Sequence, residues 1–256
     1  MLYLKHQLSV VKVDYYIELT LIKKNKIMKI FKLTLNTLLI LFFSASSYAQ
    51  DWANLNRFQK ENSELTIPKT GEYRIVFMGN SITENWLKIR PDFFTNKPYI
   101  NRGISGQTTP QMLLRFRQDV INLKPTAVVI LAGINDIAEN TGPSSIEMIM
   151  NNIISMMELA RANNIKAILC SVLPAYDFPW RKGLEPAGKV VKLNILLKAY
   201  ANQHNLVYVD YFTSMANESN GLRKELGSDG IHPNITGYLI MEPLIENAIA
   251  KALVKN

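Results

Sequence analysis

The 256-residue chain has one cysteine, three histidines and no apolar run of the ~20 residues that a membrane-spanning helix needs. A lone cysteine, Cys170, cannot close a disulfide within the chain. It lies in the apolar run Ala167–Val172, where a small buried hydrophobe is expected rather than a reactive thiol. No Cys/His cluster has zinc spacing, and no metal or organic cofactor is implied. Internal repeats, low-complexity tracts and an interdomain linker are also missing, which excludes repeat architectures. The formal net charge is +8, but residues 1–49 hold seven lysines against two acids. The remainder is close to balanced and shows no basic stripe of the kind that nucleic-acid binding wants, so no nucleic-acid partner is expected.

What the N-terminal segment does have is the pattern of an export signal. Lys29 and Lys32 precede the apolar run Leu33–Phe43, and Ser44-Ala45-Ser46-Ser47-Tyr48-Ala49 follows with small residues at 47 and 49. Cleavage after Ala49 is expected, with an exported product, periplasmic or extracellular, and no stable membrane anchor after cleavage. Met28 is a normal start for such a signal. The expected division is therefore 1–27 as an upstream extension, 28–49 as the signal peptide and 50–256 as one folded domain.

That domain alternates short apolar runs with longer amphipathic ones. Strands are expected at Tyr73–Met78, Tyr99–Arg102, Ala127–Leu131, Ala167–Val172 and Leu206–Asp210. Helices are expected near Thr83–Ile89, Pro110–Leu123, Ser144–Asn163, Lys189–Gln203 and Ile235–Leu253. The stretch Gln50–Lys69 is helix-compatible, with Leu55, Phe58 and Leu65 roughly on one face. Buried strands alternating with helices imply a parallel sheet covered on both faces, hence one three-layer α/β/α domain with five strands. Ligands in such a sheet bind outside the carboxyl ends of the strands. The residues there are Gly79-Asn80-Ser81-Ile82-Thr83, Gly103-Ile104-Ser105-Gly106, Gly133-Ile134-Asn135-Asp136 and Pro174-Ala175-Tyr176.

Ser81 follows the first strand and opens a helix, which exposes its hydroxyl and aims its N–H out of the helix N-terminus. A plain N-cap serine would look the same. The base it would need is His232, because His6 lies in the expected extension and His204 ends a helix pattern. Asp229 precedes His232 across a glycine turn and can reach the imidazole Nδ1–H, which would fix the tautomer and stabilise the imidazolium. Capping of the last helix is the other use for that segment.

Taken together, the blocks resemble the SGNH (GDSL-like) hydrolase family. Gly79-Asn80-Ser81-Ile82-Thr83 is similar to its GDS block, Gly103 to its second-block glycine, Gly133-Ile134-Asn135-Asp136 to Gly-x-Asn-Asp, and Asp229-Gly230-Ile231-His232 to Asp-x-x-His. All four occur in order, from about Tyr73 to the C-terminus. The resemblance implies a flavodoxin-like α/β/α fold and hydrolysis of acyl esters. It gives Ser81 the role of nucleophile, His232 that of base and Asp229 that of its orienting carboxylate. It builds an oxyanion hole from the N–H groups of Ser81 and Gly103 and the side-chain amide of Asn135. Asn80 replaces the usual Asp before the nucleophile, keeping its size and acceptor oxygen but losing the charge. Asp136 is read as structural, bonding loop N–H groups.

The substrate is less legible. Tyr176, Trp180 and Arg181 lie in the irregular stretch Pro174–Pro186, where they either wall the site or anchor the loop to the body. The domain has no long lid insertion, which favours small acyl groups, and export favours glycans. An esterase acting on short acyl, chiefly acetyl, esters of carbohydrates is the first expectation. A lysophospholipase, thioesterase or general short-chain esterase is the second, and a non-catalytic glycan-binding module is the alternative of a different class.

Overall fold

The structure, a computed structural model, describes residues 18–37 and 51–254. The chain divides into two compact units, Met1–Gln50 and Asp51–Asn256. In the first, residues 18–37 form a helix with every side chain exposed. The expected cleavage point after Ala49 and the end of the apolar run lie outside the described residues. No helix among the described residues is long and apolar enough to cross a membrane.

The second unit is built on five parallel strands: β1 (Ile75–Gly79), β2 (Tyr99–Gly103), β3 (Ala127–Leu131), β4 (Lys166–Cys170) and β5 (Val207–Val209), in the order β2-β1-β3-β4-β5. All five residues of β1 and of β3 are buried. These two strands are covered on both faces, which is why they read as continuous apolar runs rather than alternating ones. The register pairs Gly79 with both Gly103 and Leu131, so three strands end side by side. From β1 the chain crosses first to the edge position of β2 and then back to β3. The carboxyl ends of β1 and β3 therefore flank the switch point, the place where ligands bind in sheets of this kind.

Helix α1 is Gln59–Glu64. Helices α2 (Ser81–Ile89) and, at the end of the chain, Ile235–Val254 pack on one face of the sheet, where Trp86 stacks on Tyr238 with ring centroids 5.3 Å apart. Phe77 of β1 points into the same layer, edge-on to Trp86, Phe93 and Phe94. The short α3 (Pro91–Phe94) supplies the last two rings. On the other face lie α4 (Thr109–Asp119), α6 (Ile146–Ala162) and α7 (Pro186–Gln203), with the single-turn α5 (Ile134–Ile137) between the first two in sequence. A further short helix, α8 (Tyr211–Met215), precedes the last one, α9. Helix α4 starts at a capping box in which Thr108 and Gln111 satisfy each other's backbone donors.

Two expectations are corrected. Gln50–Lys69 is not one helix: only α1 is helical. The Asp51 carboxylate accepts the N–H groups of Leu55 and Asn56 at 2.7 and 3.0 Å, and Asn54 takes a positive φ of 55°, so local side-chain bonds replace the helix. Phe58 is buried but Leu55 is exposed, so the proposed common face does not form. The helix over Pro110–Leu123 ends at Asp119, and a separate 3-10 turn spans Ile121–Leu123.

Candidate active site

Ser81 is the first residue of α2. The Asn80 side chain caps that helix, its Oδ1 accepting the Ile82 N–H at 3.1 Å. The Asn that stands in place of Asp thus keeps the capping bond, which needs only an oxygen. A first-turn N–H has no intrahelical acceptor, so the Ser81 N–H remains directed out of the helix. Gly79 has no room for a side chain: a Cβ there would lie 1.9 Å from Thr83 Oγ1.

From the opposite end of the sequence, the loop between Gly227 and Asn234 brings in the other two groups. His232 Nε2 is 2.9 Å from Ser81 Oγ, and His232 Nδ1 is 2.6 Å from Asp229 Oδ2. The second carboxylate oxygen accepts the N–H groups of Ile231 and His232 at 2.9 and 2.8 Å. Burial alone would raise the Asp229 carboxyl. The hydrogen bonds from the His232 N–H, its ring and the Ile231 N–H outweigh that and hold the carboxyl below its ordinary range. The ionised carboxylate fixes Nδ1 as the protonated nitrogen and leaves Nε2 as an acceptor facing the serine hydroxyl. Capping of α9 falls instead to Asn234, whose Oδ1 accepts the Gly237 N–H at 3.0 Å.

The loop after β2 supplies the third side. Here the structure departs from expectation. The Gly103 N–H is not free: it donates to Asn101 Oδ1 at 2.9 Å, while Asn101 Nδ2 donates to the Thr83 carbonyl. Gly103 is a packing residue, since a Cβ there would lie 2.2 Å from the Glu84 nitrogen. Three residues on, Gly106 is exposed, with φ +78 and open space around it. That conformation favours glycine. Its carbonyl accepts from Asn140 Nδ2 at 3.1 Å, and its N–H makes no bond among the described residues. The next carbonyl, that of Gln107, accepts from Asn135 Nδ2 at 2.9 Å. One hydrogen of the buried Asn135 amide is thereby used and the amide plane fixed.

Asp136 behaves as expected. Its carboxylate accepts the Thr109 N–H at 3.0 Å and the Thr109 hydroxyl at 2.5 Å, tying α5 to the start of α4. Burial pushes it up to about 6, against the Thr109 bonds that lower it. Cys170 is buried and its thiol is pushed up to about 12 by burial. His204 caps the end of α7, exposed, with its ring against Tyr200. Among the described residues, no group of three or more His, Cys, Asp or Glu is placed to hold a metal.

The loop after β4 is split in its use. Trp180 is half exposed, and its ring lies 6.3 Å from the His232 ring, tilted by 31°. Tyr176 is also exposed. Arg181 Nη1 donates to the carbonyls of Ala138 and Glu139 at 2.9 and 2.7 Å, the loop-anchoring alternative, and braces the loop against the segment after α5. Two residues without an expected role, Glu84 and Gln107, hold the loop after β2 in place. Glu84 accepts the Ser105 N–H and hydroxyl at 2.7 and 2.5 Å, and the buried Gln107 side chain bonds Arg115 and the Ala53 carbonyl.

Comparison with known proteins places this geometry. Residues 77–240 match the model of the GDSL-like Lipase/Acylhydrolase family. The crystal structure of a GDSL-like lipase from Bacteroides thetaiotaomicron VPI-5482 is 51% identical, with a TM-score of 0.77, and the alignment covers 78% of this chain and 98% of that one. An uncharacterized lipoprotein, YqeF of Bacillus subtilis (strain 168), is 37% identical over 85 residues, which is 32% of this chain but only 35% of YqeF. An acetylxylan esterase of Geobacillus stearothermophilus is 26% identical over 158 residues, covering 56% of this chain and 67% of that protein.

Proposed function

The chain belongs to the GDSL-like lipase/acylhydrolase family, and on that premise we propose that it is a serine esterase that removes short acyl groups, chiefly acetyl, from carbohydrates. The observation that carries the reading is the continuous relay from Ser81 Oγ through His232 to Asp229, at 2.9 and 2.6 Å. The Ser81 oxygen attacks the ester carbonyl while Nε2 takes its proton, and the Asp229 carboxylate stabilises the imidazolium that results. The carbonyl electrons move onto oxygen. The donors available to it are the Ser81 N–H, the second hydrogen of the Asn135 amide and the Gly106 N–H, in place of the Gly103 N–H that Asn101 occupies. Collapse of the tetrahedral intermediate breaks the bond to the alcohol, which leaves with the proton from Nε2. Water then repeats the sequence on the acyl-enzyme, with His232 again as base, and releases the acid.

Support for a sugar ester comes from Trp180, whose exposed ring beside His232 offers an apolar face on the side from which the alcohol leaves. The distant likeness to an acetylxylan esterase points the same way. Export through residues 28–49 belongs to this reading, since polymeric glycans lie outside the cytoplasm. The test is an acyl-chain series of p-nitrophenyl esters, followed by acetate release from acetylated xylo-oligosaccharides by the wild type and Trp180→Ala. The expected result is a kcat/KM highest for acetate, with Trp180→Ala weakening glycan turnover and sparing the aryl acetate. Preference for long chains, or no acetate from any glycan, would overturn the substrate assignment.

A further inference from the structure

One charged group in the core has no part in the relay yet touches both sides of the site. Arg115 lies on α4 with no exposed surface. Its Nη2 donates to the Gly79 carbonyl at 3.0 Å, two residues before Ser81. Its Nε donates to Gln107 Oε1 at 2.5 Å. Its Nη1 donates to Asp119 Oδ2 at 3.1 Å, which balances the charge one helical turn away. The Gly79 carbonyl also accepts the N–H of Ile104, where the oxyanion loop begins, at 3.2 Å. Gln107 is the far end of that loop. Its carbonyl carries the Asn135 amide, and its own amide donates to the Ala53 carbonyl at 2.7 Å.

We propose that Arg115 is a positioning residue for ester hydrolysis: its guanidinium, beneath the site, spans the Gly79 carbonyl before the nucleophile and the Gln107 side chain on the loop that orients Asn135, and so fixes the separation of nucleophile and oxyanion donors. This rests on the serine-esterase reading above. A buried ion pair is a poor stabiliser, since desolvation offsets most of the attraction and apolar residues of the same volume do as well. What apolar residues cannot do is hold two acceptors, one on a strand end and one on a neighbouring loop, in one rigid plane. The guanidinium does this because its donors are coplanar and fixed in direction. A lysine keeps the charge beside Asp119, but its single ammonium on a flexible stem cannot span all three acceptors. Burial lowers Arg115 to about 10, which leaves it charged at neutral pH.

The experiment compares Arg115→Lys and Gln107→Ala with the wild type on p-nitrophenyl acetate, each also in an Asn135→Ala background, with thermal melts of every protein. Both single variants are expected to melt cooperatively and to lose roughly ten- to hundredfold in kcat, the scale of a misplacement near 1 Å, with KM little changed. If Gln107 acts through Asn135, its effect on kcat shrinks to about threefold or less once Asn135 is already alanine. A folded Arg115→Lys with wild-type kcat would overturn the proposal, as would a Gln107→Ala effect that is the same with and without Asn135. Should Arg115→Lys fail to fold, the Gln107 and Asn135 cycle decides alone. Failure of the underlying reading looks different: Ser81→Ala would then retain turnover, whereas failure of this inference leaves Ser81 essential.

Discussion

An unassisted serine hydroxyl is a weak nucleophile, and what distinguishes Ser81 is the imidazole nitrogen 2.9 Å away, aligned by a carboxylate that stays ionised. The sign of the Asp229 shift matters. Its carboxyl is held below the ordinary range, so its contribution to stability is present above the unfolded value and is lost only as pH falls through the lower folded one. Protonation of Asp229 is therefore confined to pH values below the ordinary carboxylate range. Asp229→Asn should leave the fold intact and reduce kcat by roughly 10⁴-fold, the loss seen when a triad carboxylate becomes an amide. Stopped assays at neutral pH with a melting curve check it, and a loss below tenfold would remove Asp229 from the relay. The relay residues were legible because few histidines compete and because glycine turns flank them. The glycine proposed as an oxyanion donor was not. Gly103 ends β2 and Gly106 lies three residues beyond it; the Gly103 N–H is taken by Asn101, while Gly106 is exposed with a positive φ.

At the scale of elements, the loop between β2 and α4 is the most heavily tied part of the site. Glu84 holds Ser105, Asn140 holds Gly106, Asn135 holds Gln107 and Asp136 holds Thr109. The last tie has a pH signature. Asp136 is raised from 3.8 to about 6, so the folded state binds its proton more tightly than the unfolded state does. Ionisation then penalises folding progressively as pH rises from about 4 to 6, by a total of about 3 kcal/mol. Asp136→Asn cannot ionise, so wild-type stability relative to the variant should fall across that interval and level off above it. Urea unfolding at several pH values measures this, and a constant difference would show that Asp136 carries no such penalty. The amphipathic run over Pro110–Leu123 located α4 but not its end, and Arg115 was passed over. It sits on the same stripe as Met112 and Phe116, with Asp119 one turn on, and that internal i,i+4 pair was the available signal of a charge turned inward.

At the scale of the molecule, the strand order places Ser81 after β1 and Asn135 after β3, on either side of the crevice that the order itself creates. Each strand was located within two residues, most closely β3, which like β1 is covered on both faces and reads as a continuous apolar run. The segment from residue 51 to α1 was misjudged because long-range bonds add to the local Asp51 turn that replaces a helix there. Gln107, Gln111 and Gln118 donate into the carbonyls of Ala53, Trp52 and Leu55, bonds that no local pattern announces. Fold and site thus share one set of polar ties, yet the chemistry converges on a single atom, Ser81 Oγ. Hydrolysis of p-nitrophenyl acetate by the wild type and by Ser81→Ala, on proteins shown to melt alike, tests the whole account most directly. The account predicts that the variant falls by at least ~10⁴-fold in kcat, as loss of a triad serine does; a folded Ser81→Ala that turns over at the wild-type rate would contradict it.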